Sequence, residues 1–167
     1  MKLHYNVDAF SVARVRKLKS TIAAVGAKVE EAVYKVGEDV SKVSFFNTLP
    51  LLSTPEGTFF SSNTILRYLA STHKAELYGG ENIHMKSLVD QWLDLTTCDF
   101  EPVISAILYF QQGKEVDFGK LMEDCNKFMA VVEKHLKDRK FLVGDNCTIA
   151  DLSLASSVSV VFSVMLG

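Results

Sequence analysis

Apolar and polar positions change their period along the chain, and the changes mark out its elements. Residues 2–6 (KLHYN) alternate weakly, as a strand with one covered face does. Residues 11–25 carry Val12, Val15, Leu18, Ile22 and Val25 at spacings of three and four, which predicts an amphipathic helix. Gly26 is placed to stop it, since helices commonly end on a left-handed glycine. The valine-rich run 28–36 predicts a second strand, and a strand–helix–strand unit normally pairs its strands in parallel. Residues 37–47 are polar and irregular. A short strand over 49–52 follows, then the turn Thr54-Pro55-Glu56-Gly57, with proline and glycine where a type I turn prefers them. A returning strand over 58–60 leads into a helix through Ile65, Leu66, Tyr68 and Leu69, which Ser62 or Asn63 can cap.

After a break at Tyr78-Gly79-Gly80-Glu81-Asn82 the period is helical throughout. Residues 83–111 predict one long helix that Pro102 kinks or splits. Residues 116–137 carry Leu121, Met122, Cys125, Phe128, Met129, Val132 and Leu136 as one stripe, and a last helix begins at Thr148. The expected fold class is therefore α/β plus all-α. Residues 1–75 form a first lobe in the order β-α-β-β-β-α of the thioredoxin fold, and residues 82–167 form an all-helical second lobe.

Composition narrows this picture without redirecting it. The chain has 167 residues, 48% of them hydrophobic and 23% charged, enough apolar material for one domain or two small ones. A net charge of −2 argues against a surface built wholly for nucleic acid. The basic clusters Arg14, Arg16, Lys17, Lys19 and Lys134, Lys137, Arg139, Lys140 lack interleaved aromatics and read as solvated faces, so no direct nucleic-acid partner is expected. Cys98, Cys125 and Cys147 are odd in number and widely spaced, which suits reduced thiols in a cytoplasmic protein. The four histidines show no metal spacing, and no metal is expected. Polar Asn6 and Asp8 interrupt what would be a signal peptide. The apolar stretch from Thr148 to the end has a polar first turn and recurrent serines, so a buried helix is expected rather than a membrane anchor.

Three local motifs carry more. Thr148-Ile149-Ala150-Asp151 predicts a capping box, each side chain bonding the other residue's backbone N–H. In Leu49-Pro50-Leu51 a proline enters a short strand; it is either an edge residue or follows a cis bond at a bend, and the hairpin behind it favours the cis bond. Ser61-Ser62-Asn63-Thr64-Ile65 opens a helix, whose free N–H groups and dipole suit a carboxylate or serve a plain cap.

With Phe141-Leu142-Val143-Gly144-Asp145 in front of it, the capping box resembles the signature of the glutathione transferase helical domain. Gln91-Trp92, the same FLVG segment and PLLSTPEGTFFSSNTILRYLA together resemble the glutathione-transferase-like domain of the elongation factor 1 gamma subunit. Related domains occur in aminoacyl-tRNA synthetase complexes. The resemblance implies a thioredoxin-like N-terminal lobe followed by a glutathione-transferase-type helical lobe. It also implies a non-catalytic scaffold of the translation elongation factor 1 complex. Partners would be its guanine-nucleotide-exchange subunits or aminoacyl-tRNA synthetases, a homodimer being a further arrangement, with no membrane association.

No cofactor is expected, glutathione being the one ligand the family would bring. Were glutathione bound, Leu49, Pro50, Ser61 and Ser62 would hold it, although Ser61 replaces the usual acid or glutamine. No catalytic residue is expected; if the chain is an enzyme it is a glutathione transferase conjugating electrophiles, and Tyr5 or Ser11 is the thiol-activating candidate. Residues 37–49 are shorter than usual in the family. Family members also continue beyond the position of Gly167, so the last apolar helix is expected to gain cover from further chain or from a partner.

Overall fold

A computed structural model describes residues 1–166, with side chains described as far as Val164. Gly167, the last position of the helical lobe drawn from the sequence, lies outside the described residues. Four strands form one sheet, in the spatial order 30–34, 2–6, 51–54, 57–60. They are β1 (Lys2–Asn6), β2 (Glu30–Tyr34), β3 (Leu51–Thr54) and β4 (Gly57–Phe60). β1 pairs in parallel with β2, as the strand–helix–strand order requires, and antiparallel with β3, which pairs antiparallel with β4. The second and third strands begin two residues later than expected. For β3 the reason is local: the Leu49–Pro50 bond is cis, and proline has no N–H for a ladder.

Alternation along β1 sends Leu3 and Tyr5 to one face of the sheet and His4 to the other. Leu3 and Leu52, opposite each other in register, join the core with Val15 and Leu18 of α1 (Val12–Val25) and Ile65 and Leu66 of α2 (Ser62–His73). α1 ends on Gly26 at φ 68°, the left-handed stop expected. The cap of α2 differs from expectation: Ser61 precedes the helix without a side-chain bond to it, and Asn63 turns into the protein interior.

The expected long helix is split. α3 (Ile83–Leu95) is capped by Asn82, whose carboxamide oxygen accepts from the N–H groups of His84 and Met85. A wide π turn, Thr96–Phe100, then joins it to α4 (Glu101–Gln111). Pro102 stands in the first turn of α4, where its missing N–H costs no helical bond. α5 (Phe118–Leu136) is capped by Asp117, and α6 (Ile149–Leu166) runs through the centre against α1, α3 and α4. Ser156 and Ser163 of α6 return their hydroxyls to carbonyls four residues back, and Ser159 three back, whereas the fully buried Ser153 and Ser157 hydroxyls have no partner among the described residues. Among the described residues no helix is long and apolar enough to cross a membrane.

The Thr148–Asp151 box forms in a modified way. Asp151 accepts the Thr148 N–H at 2.8 Å, as expected, but the Thr148 hydroxyl donates to the same carboxylate at 2.9 Å instead of serving the Asp151 N–H. The other Asp151 oxygen accepts the Leu142 N–H at 2.8 Å, so one carboxylate gathers both ends of the 142–148 loop. Asp151→Ala removes all three bonds and is expected to cost about 2–3 kcal/mol, read as a lowered midpoint in urea unfolding with an unchanged slope.

Candidate functional site

The two lobes meet at an open cleft of about 360 Å³. Thr48, Leu49, Pro50, Ser61 and Ser62 line one side, while Arg14 of α1, Thr97 of the π turn and Glu101 of α4 line the other. All four residues singled out as ligand-holding from the sequence (Leu49, Pro50, Ser61 and Ser62) are thus brought together. Pro50 lies there because β3 begins directly after it, and the serines because α2 starts at the end of β4.

Two features mark the α2 end of the cleft. Ser61 has φ 67° and ψ 121°, a left-handed conformation that a side chain disfavours, costing on the order of 1–3 kcal/mol. Ser62 is 8% exposed, and its hydroxyl, which bonds no other described residue, keeps contact with solvent. The N–H groups of the first α2 turn beside it lack helical acceptors, so this corner favours negative charge.

The floor is a buried polar network. Lys17 of α1 is wholly shielded from water, and its ammonium donates to Asn63 Oδ1 at 2.8 Å and Glu101 Oε1 at 3.0 Å. Asn63 in turn donates to Thr97 Oγ1 at 3.0 Å and to the Leu93 carbonyl. Arg14 Nε lies 3.3 Å from Glu101 Oε2. Burial pushes the Lys17 ammonium below its ordinary pKa, Glu101 opposes that shift, and the nearby Arg14 and Arg67 cations add to it. This corrects the reading of Lys17 as part of a solvated basic face.

Neither thiol-activating candidate lines the cleft. Tyr5 is on the helix-facing side of β1, and its hydroxyl donates to Glu31 Oε2. The Lys19 ammonium bonds the same oxygen and lies 4.7 Å from the centre of the Tyr5 ring. The Ser11 hydroxyl donates to the Asn6 carbonyl and accepts the Asp8 N–H, while the Asp8 carboxylate accepts the Ser11 N–H. This reciprocal lock shapes the turn into α1 and leaves Ser11 buried. Arg14, Lys17, Asn63, Thr97 and Glu101 went unrecognised in the sequence. Lys17 and Thr21 lie four residues apart beside the apolar stripe of α1, and both are buried. Glu101, 84 residues away, gives no sequence sign of being the partner of Lys17. Among the described residues no group of histidine, cysteine, aspartate or glutamate is gathered as for a metal.

The fold has known counterparts. Residues 95–167 match the family described as glutathione S-transferase, C-terminal domain. The glutathione S-transferase 1-6 of Anopheles dirus species B superposes with a TM-score of 0.84 over 99% of this chain and 80% of its own, at 18% identity. The chain has the glutathione transferase fold. Its thioredoxin-like and helical lobes are those the resemblance implied. Among curated relatives, elongation factor 1-gamma of Trypanosoma cruzi is 27% identical over 151 residues, covering 86% of this chain and 36% of that protein. Human glutathione S-transferase A2 is 29% identical over 164 residues, covering 92% and 70%. The chain therefore resembles the gamma-subunit domain and spans a little over a third of that relative's length.

Lys17→Met leaves the Glu101 carboxylate without its buried cation and is expected to cost about 3–4 kcal/mol in urea unfolding, with Glu101→Gln added to it restoring part of the loss. The pH dependence has a definite sign. Between the lowered folded pKa of Lys17 and its ordinary 10.5, the unfolded chain binds the extra proton. Unfolding free energy from this group therefore rises with pH through that window. The wild-type minus Lys17→Met difference should rise accordingly.

Proposed function

We propose that the chain is a non-catalytic, protein-joining domain of an elongation factor 1 gamma type of translation factor, acting in the cytoplasm. The observation that carries the reading is the state of Tyr5 and Ser11. Both hydroxyls are already bonded within the fold and lie outside the cleft, so neither is free to hold a thiolate. The likeness to elongation factor 1-gamma proteins over most of this chain supports the same reading. Its partners on this account are the guanine-nucleotide-exchange subunits of that complex. Aminoacyl-tRNA synthetases, or a second copy of the chain, are the alternatives.

A second reading, glutathione conjugation to electrophiles, is favoured by the strained Ser61 and the unpartnered Ser62 beside the cis-proline. Leu49, Pro50, Ser61 and Ser62 would hold the tripeptide's backbone and glutamyl carboxylate, and its own thiol would supply the nucleophile. The two readings separate in one assay. With millimolar glutathione and a chloronitrobenzene, the purified chain should give no rate above the uncatalysed one, and Tyr5→Phe should not change that. Turnover that Tyr5→Phe abolishes would overturn the scaffold reading. Co-expression with an elongation factor 1 exchange subunit should give a complex that survives gel filtration.

A further inference from the structure

We draw no further inference here: the strongest candidate, the exposed aromatic patch of Phe45, Phe46 and Phe60 beside the cleft, carries nothing because nothing in the structure shows what covers it.

Discussion

An ammonium sealed from water must find oxygen acceptors and a countercharge, or lose its proton. In this chain the requirement falls on Lys17, and meeting it takes three other elements. Asn63 comes from the start of α2, Glu101 from the start of α4, and Thr97, which steadies Asn63, from the turn between α3 and α4. Apolar burial of α1 against α6 supplies much of the driving force between the lobes, but such contact tolerates sliding. The ammonium tolerates little, because each acceptor must stay within hydrogen-bond distance. The lobes are thus brought together by hydrophobic area and set in register by charge.

The cleft above this network follows from that register. Glu101 and Thr97 form one wall only because Lys17 and Asn63 draw the helical lobe against α1 and α2. At the α2 corner the chain spends conformational energy on Ser61 and leaves Ser62 without a partner, a pattern usual where a ligand or partner is received. On the other side of α1 the same chain satisfies Tyr5 and Ser11 completely. The Ser62 hydroxyl stays open to the cleft, whereas the hydroxyls that could drive chemistry are consumed in holding a strand and a turn.

Much of the framework was legible because periodicity reports burial directly. The stripe on residues 11–25, the stop at Gly26, the cis bond after Leu49 and the break before Ile83 all follow from local rules. The misreadings share a cause as well. Lys17 looks like a surface cation because nothing nearby in sequence reveals Glu101. Asn63 looks like a cap because its side-chain chemistry suits one, yet Lys17 and Thr97 compete for it and win. Thr148 and Asp151 were paired correctly, but the carboxylate had a third donor, the Leu142 N–H, and the hydroxyl turned to the stronger acceptor. Local pattern names the element; a side chain's partner is settled by what the rest of the fold delivers to it.

The wide turn at Thr96–Phe100 sets the rotational phase of everything after it. Successive helical residues point about 100° apart around the axis. Adding or deleting one residue between Leu95 and Glu101 would turn α4 by that angle relative to α3, aiming Glu101 away from α1 and bringing another side chain to face Lys17. The chain can therefore vary in composition along this turn far more freely than in length.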